Sequence, residues 1–228
     1  MGAEPRYDEH LDRLRLELVI FDTMIVRHIC AGGGGDHLEA AFAGRIAWPE
    51  AVSAELALQS RAIRPLREFL DRKPAVVLEV DPSDEEEIED IRIDMYTKRA
   101  ARLSDTEHLG EAQCLFFAER DGNPVATNDG KARERARASW NDLRNAPRVP
   151  SRRKVDVFHI IQVLQVCIRT GACRPGVAWN IYERAVGGGL FESPGFSVSG
   201  SRERFLSDSS PLVAIRRQEL GQATEPPG

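Results

Sequence analysis

Four acidic residues of this 228-residue chain stand beside apolar segments, where an unpaired carboxylate is costly. Asp22 and Asp129 each follow a short apolar run, and Glu55 and Glu111 each lie next to the apolar stripe of a helix-like segment. Carboxylate oxygens are the hard ligands that Mg²⁺ and Mn²⁺ prefer, so one shared cation site would account for all four positions. The spacing of histidine and cysteine gives no support for zinc.

The predicted elements bring these acids to one end of a sheet. Residues 16–21 (Leu-Glu-Leu-Val-Ile-Phe) are typical of a strand buried on both faces, and residues 124–127 suggest a second such strand. Glu55 lies on a predicted helix over residues 50–59, and Glu111 lies on another from about 105 to 120. In open α/β sheets ligands bind at the carboxyl ends of the strands, where Asp22 and Asp129 would stand. The simpler alternative is that each Asp caps the helix that follows it.

The rest of the chain continues the alternation of strands and helices. We predict further strands at 45–48 and 75–80, of which the second is expected to be a core strand. Further helices are predicted at 23–30, 62–72, from 83 onwards, 131–137, 155–170 and 175–186. Ser83 is the predicted N-cap of its helix, with Glu86 closing a capping box. The glycine run at 31–36 predicts a flexible loop, because a phosphate-binding loop would end in Gly-Lys-Ser or Gly-Lys-Thr. We expect His159 to be a core residue, and Gly110 to mark the close approach of another backbone or a ligand.

Composition sets limits on the class of protein. A hydrophobic share of 42% and a net charge of -5 predict a soluble globular protein, with no global argument for nucleic acid or membrane. The four cysteines form no CxxC pair, which favours a reduced cytoplasmic protein. We expect a lead-in over residues 1–14, one domain over 15–191 and a flexible tail over 192–228, in which residues 211–220 could form a short helix.

One stretch is basic although the chain is acidic. Residues 131–154 contain nine Lys or Arg against two acids, and the stretch directly follows Asp129. It suits a track for a phosphate backbone, and a solvated helix face is the alternative. The candidate RNA-binding residues are Lys131, Arg133, Arg135 and Arg137.

Taken in order, these segments resemble the motifs of the PIN-domain ribonucleases, and of their VapC-like branch in particular. The first motif is similar to residues 19–23 (Val-Ile-Phe-Asp-Thr) and the second to 48–56 (Trp-Pro-Glu-Ala-Val-Ser-Ala-Glu-Leu). The third is similar to 109–112 (Leu-Gly-Glu-Ala), with Glu where many members have Asp, and the fourth to 125–129 (Val-Ala-Thr-Asn-Asp). The resemblance covers about residues 15–190. The chain is longer than the compact toxins of the family.

The resemblance implies an α/β fold, a three-layer α/β/α sandwich with a central, mostly parallel sheet. It implies an endoribonuclease that uses Mg²⁺ or Mn²⁺, with Asp22, Glu55, Glu111 and Asp129 as catalytic metal ligands. Thr23 and Thr127 would orient those ligands from behind. The reaction would be hydrolysis of RNA phosphodiester bonds. The protein's role would be that of the toxin in a type II toxin-antitoxin pair. RNA, an antitoxin protein and a second copy of the chain are then the candidate partners, and no membrane is expected.

Two other classes of protein are alternatives to a nuclease. A phosphatase of the haloacid dehalogenase type needs a second Asp two residues after the first, and Met24 occupies that position. The stronger alternative is a PIN-like module that binds RNA or protein without catalysis. The presence of all four acids favours the enzyme.

Overall fold

Five short strands form one sheet in the computed structural model, which describes residues 17–96, 108–132, 134–135 and 155–185. The strands are β1 (Val19–Phe21), β2 (Ile46–Pro49), β3 (Ala75–Leu78), β4 (Val125–Ala126) and β5 (Val157–Phe158). Their spatial order is β3-β2-β1-β4-β5, and every neighbouring pair is parallel. The predicted α/β class with a central sheet is confirmed, and the sheet, predicted to be mostly parallel, is parallel at every described pairing.

Helices flank this sheet and produce the predicted three-layer α/β/α sandwich. They are α1 (Thr23–Ala31), α2 (Gly35–Ala41), α3 (Glu50–Ser60), α4 (Arg64–Asp71), α5 (Glu85–Tyr96), α6 (Leu109–Asp121), α7 (Ile160–Arg169) and α8 (Pro175–Ala185). Helix α5 packs along α6, while α1 packs with α4 and α8. Among the described residues, no helix has the length and apolar character needed to cross a membrane.

Strand β1 is the central strand, and its sequence explains why. Val19, Ile20 and Phe21 are fully buried, as expected for a strand covered on both faces. Strand β2 lies on one side of β1, and β4 lies on the other. The order of the strands therefore reverses between β1 and β4, and such a reversal opens a crevice at the carboxyl ends of the two strands. Asp22 stands at that end of β1.

The predicted start of the helix over 155–170 is wrong. The helix predicted there begins at Ile160, because Val157–Phe158 forms strand β5 and pairs with β4. A short apolar run fits a buried strand as well as a buried helix, so periodicity could not separate the two. His159 is buried as predicted, and it caps α7 in a capping box with Gln162.

Three other local predictions also need correction. The predicted core strand at 75–80 is the edge strand β3, where Val76 and Val77 are exposed. Asp81, not Ser83, caps the turn before α5, because its carboxylate accepts a hydrogen bond from the backbone N–H of Ser83. The glycine run is closely packed, since a Cβ on Gly32 would lie 2.8 Å from a backbone oxygen of α8.

Several predictions fall outside the described residues. They are the lead-in over 1–14, the tail over 192–228 with its predicted helix at 211–220, and the RNA-binding candidates Arg133 and Arg137. The predicted helix at 131–137 is described only in part, as helical residues at 130–132 and 134–135.

Candidate metal centre at the carboxyl edge of the sheet

Asp22 lies in the interior at the end of β1, with only 1% of its surface exposed. It occupies the N-cap position of α1, but its side chain makes no capping hydrogen bond. The carboxylate instead accepts a hydrogen bond from the Thr127 hydroxyl, 2.9 Å from Oγ1 to Oδ2. The capping interpretation therefore does not account for this acid.

Thr127 and Asp129 connect the end of β4 to Asp22. The Thr127 hydroxyl that donates to Asp22 also accepts the backbone N–H of Asp129 at 3.0 Å. Oδ1 of Asp129 accepts the backbone N–H of Ala132 at 2.8 Å, so Asp129 does cap the helical turn that follows it. A carboxylate has two oxygens and several lone pairs, so capping through one oxygen leaves acceptor capacity for a ligand. The sequence prediction that Thr127 orients a neighbouring acid has a direct contact to support it.

Glu55 reaches the same region from α3. The Thr23 hydroxyl donates a hydrogen bond to Oε2 of Glu55 at 2.5 Å. On the other side, a Cβ built on Gly110 would lie 2.9 Å from Oε1 of Glu55 and 3.1 Å from Val52. Gly110 therefore marks a close approach, as predicted, and the group that approaches is the Glu55 side chain. Only glycine at this position lets α6 pass so near to the carboxylate.

Glu111 lies in the first turn of α6, one residue after Gly110. Burial, together with the charges of Asp22, Glu55 and Asp129, raises the pKa of its carboxyl to about 8. Burial likewise raises the pKa of Asp22 to about 7, with contributions from Glu55 and Asp129, although the hydrogen bond from Thr127 works in the opposite direction. The four predicted acids thus interact with one another at the carboxyl edge of the sheet.

This electrostatic arrangement fits the chemistry of a hard cation. Several carboxylates share a poorly solvated region, and a divalent ion would offset their repulsion and desolvation. Carboxylate oxygens are suited to Mg²⁺ or Mn²⁺, and Asp22, Glu55, Glu111 and Asp129 would be the residues to hold it. As placed in the described part of the chain, no three His, Cys, Asp or Glu side chains form a group that could hold a metal ion. The acids are therefore a linked cluster in which the ligand sphere is not assembled.

Two aromatic residues at this edge were not found from the sequence. Tyr96 ends α5 with 2% exposure, and its ring stacks on His108 with centroids 3.7 Å apart and planes 5° apart. The Lys131 ammonium lies 4.2 Å from the centroid of the Tyr96 ring. Burial, followed by the charges of Asp129 and Glu111, raises the pKa of the Tyr96 phenol well above its usual value. No spacing rule predicts this contact, because α5, α6 and the turn after β4 meet only in the folded chain.

The two described RNA-binding candidates, Lys131 and Arg135, make different contacts. Arg135 has 9% of its side chain exposed and forms ion pairs with Asp94 and with Glu119, the latter at 3.5 Å. Its guanidinium therefore joins α5 to α6. Lys131 forms no ion pair with a described acid, and the Tyr96 ring is its contact. Of the predicted RNA-binding residues, Lys131 is the described one that forms no ion pair with a described acid.

The resemblance to the PIN-domain family depends on the order and spacing of four short motifs. Each motif alone is brief enough to arise in an unrelated chain. The assignment to the PIN-domain family stays a prediction that rests on those segments, because the chain matches no protein-family model, no curated protein and no solved structure at a significant level.

Proposed function

We propose that this protein is an endoribonuclease that depends on Mg²⁺ or Mn²⁺. The observation that carries the proposal is the buried carboxylate of Asp22, whose pKa is raised to about 7 by burial and by the neighbouring acids. An acid held in this way is costly when ionised, and a divalent cation would remove that cost. Its position at the reversal point of the strand order is where α/β proteins bind their ligands.

The chain's own residues would divide the work of phosphodiester hydrolysis. Asp22, Glu55, Glu111 and Asp129 would hold the cation. A bound divalent ion supplies activation of water and neutralisation of charge on the phosphate. Thr127 holds the Asp22 carboxylate through its hydroxyl, and Thr23 does the same for Glu55. Such supporting contacts fix the orientation of the ligands. No side-chain nucleophile would be needed, because the attacking group would be a water molecule activated by the ion.

The alternative is a PIN-like module that binds RNA or protein without catalysis. One observation favours it: within the described residues no three acidic, His or Cys side chains form a ready group for a metal. In the enzyme, the side chains would close around the cation as it binds. In the silent module, they would stay apart at every metal concentration. Metal binding by the whole chain therefore separates the two.

The deciding experiment measures cleavage of a fluorescent RNA that contains a single-stranded region and a hairpin. We expect cleavage with Mn²⁺ or Mg²⁺, none with EDTA, and none from Asp22→Asn. Asp156→Asn is the matched control, because Asp156 is also buried but precedes β5 at the opposite edge of the sheet. Cleavage that survives both EDTA and Asp22→Asn would refute the metal mechanism. Absence of cleavage together with absence of Mn²⁺ binding would assign the silent module.

We further propose a cytoplasmic location and a toxin role. All four cysteines are free and buried, which suits a reducing compartment. Expression of the wild type should arrest growth, and Asp129→Asn should restore it, because Asn also caps a helix and keeps the local fold. Normal growth with the wild type would remove the toxin role and leave the nuclease proposal intact. Sedimentation of the purified chain would test the homodimer, and co-purification from its native host would test for an antitoxin.

A further inference from the structure

The Lys131 ammonium contacts an aromatic ring and forms no ion pair with a described carboxylate. It follows Asp129 by two residues, yet the Tyr96 ring, 4.2 Å away, is its contact, and it pairs with no described carboxylate. A lysine that follows an acidic residue this closely in the chain could turn its ammonium toward that carboxylate, because the attraction between the two charges is strong in a partly buried region. The Tyr96 ring therefore competes with the acids for the Lys131 ammonium.

The Tyr96 ring is held rigidly enough to compete. His108 stacks in parallel on one face of the ring, so Lys131 must lie over the other face. His108 has a φ of 61°, in the left-handed region that residues other than glycine rarely adopt. Such a conformation persists when its surroundings impose it, and here it brings the imidazole onto Tyr96. The ring face attracts a cation through its quadrupole.

The hydroxyl of Tyr96 links the same residue to the acids. The oxygen is buried, and although it makes no hydrogen bond of full geometry with a described residue, it lies within hydrogen-bonding reach of the Asp129 carboxylate. The charges of Asp129, Glu111 and Asp22 all act on it. One end of the tyrosine thus faces the cluster, while its ring face carries the cation.

We propose that Tyr96 is a positioning residue, which holds the Lys131 ammonium away from the carboxylates so that the cluster stays open to a divalent cation and Lys131 stays available to a phosphate of the RNA. This inference deepens the proposed nuclease function and rests on it. Lys131 supplies the phosphate contact, and Tyr96 acts through Lys131. His108 stacks on the face of the Tyr96 ring opposite to Lys131.

The first test measures Mn²⁺ affinity of the full chain by electron paramagnetic resonance, without RNA and without turnover. Tyr96→Leu should weaken Mn²⁺ binding by about tenfold, since the released ammonium then competes with the metal for the acids. Adding Lys131→Gln to Tyr96→Leu should restore the affinity of Lys131→Gln alone. If the double variant stays as weak as Tyr96→Leu, the loss is structural and the proposal is overturned.

The second test measures binding of an uncleavable 2′-O-methyl RNA in EDTA by fluorescence anisotropy at several salt concentrations. Lys131→Gln and Tyr96→Leu should both weaken binding, and the salt dependence should fall by about 0.7 in slope, the value for one phosphate contact on a single strand. Tyr96→Phe keeps the ring and should bind RNA like the wild type. Loss of RNA binding in Tyr96→Phe equal to that in Tyr96→Leu would contradict a role for the ring face.

A matched control separates the loss of a buried ring from the loss of this contact. Phe69 is buried beneath the guanidinium of Arg72 at 5.6 Å, away from the acids, so Phe69→Leu should change neither affinity. Failure of the nuclease proposal would be recognised separately, as a wild type that binds Mn²⁺ but neither binds nor cleaves RNA. The Mn²⁺ rescue by Lys131→Gln would still decide the role of Tyr96 in that case.

Discussion

Asp22→Asn should stabilise the metal-free protein at alkaline pH while it abolishes cleavage. The wild-type carboxylate is 1% exposed, and burial with nearby acids raises its pKa from 3.8 to about 7. Asn has nearly the same shape and can still accept the Thr127 hydroxyl, but it carries no charge to bury. The substitution therefore removes a cost that the folded protein bears whenever Asp22 ionises.

The direction of the pH effect follows from proton binding. Between the unfolded pKa near 3.8 and the folded pKa near 7, the folded chain keeps a proton that the unfolded chain has released. The wild type therefore loses stability as pH rises through this range, and the loss is complete above about 7. A shift of about three pKa units corresponds to about 4 kcal/mol in total. The advantage of Asp22→Asn should grow by about 3 kcal/mol between pH 5 and pH 8.5.

The assay is thermal and urea unfolding of the wild type, Asp22→Asn and Asp156→Asn in EDTA at both pH values. For a chain of this size 1 kcal/mol is about 2 to 4 °C in Tm, so the gap between variant and wild type should widen by about 6 to 12 °C. Saturating Mg²⁺ should then stabilise the wild type, by about 2.7 kcal/mol at a hundred times its Kd, and leave Asp22→Asn nearly unchanged.

The refuting result is an advantage of Asp22→Asn that does not grow with pH. Such a protein would already compensate the Asp22 charge with its own groups, and the argument for a cation would fail. If Asp156→Asn widened its gap to the same extent, the effect would belong to buried aspartates in general and not to the cluster.

Three further substitutions test how the site is built. Thr23→Val removes the hydrogen bond to Glu55 and should lower kcat by about tenfold or more, with Thr23→Ser retaining activity; equal rates for both would exclude an orienting role. Gly110→Ala should change the unfolding free energy by no more than about 1 kcal/mol, because the gain from a better helix former is offset where the new Cβ meets the Glu55 carboxylate and the buried Val52 side chain. Cleavage should nevertheless fall as Glu55 is displaced, and unchanged cleavage would contradict its placement. Gly32→Ala meets a backbone oxygen of α8 and should destabilise by about 1–3 kcal/mol in urea unfolding, whereas Gly176→Ala, with open space around it, should not.

Much of the fold was available from local sequence. The run Val19-Ile20-Phe21 is apolar throughout, and that alone predicts a strand covered on both faces. Pro49 and Glu50 mark the start of α3 by ordinary helix-start chemistry, and α3 begins at Glu50. Local signals failed at β5, because pairing with β4, and not propensity, makes residues 157–158 a strand.

The candidate site was likewise predictable from the sequence only in part. By itself the sequence determined which acids follow apolar strands or flank apolar helix faces, since burial of a carboxylate is visible as a polar residue in an apolar pattern. Only the tertiary structure decided that Thr127 donates a hydrogen bond to Asp22, and that Arg135 forms an ion pair with Glu119. The same is true of the contact between the Lys131 ammonium and the Tyr96 ring. These contacts join residues far apart in the chain, and their energies depend on distance and burial, which no spacing along a sequence contains.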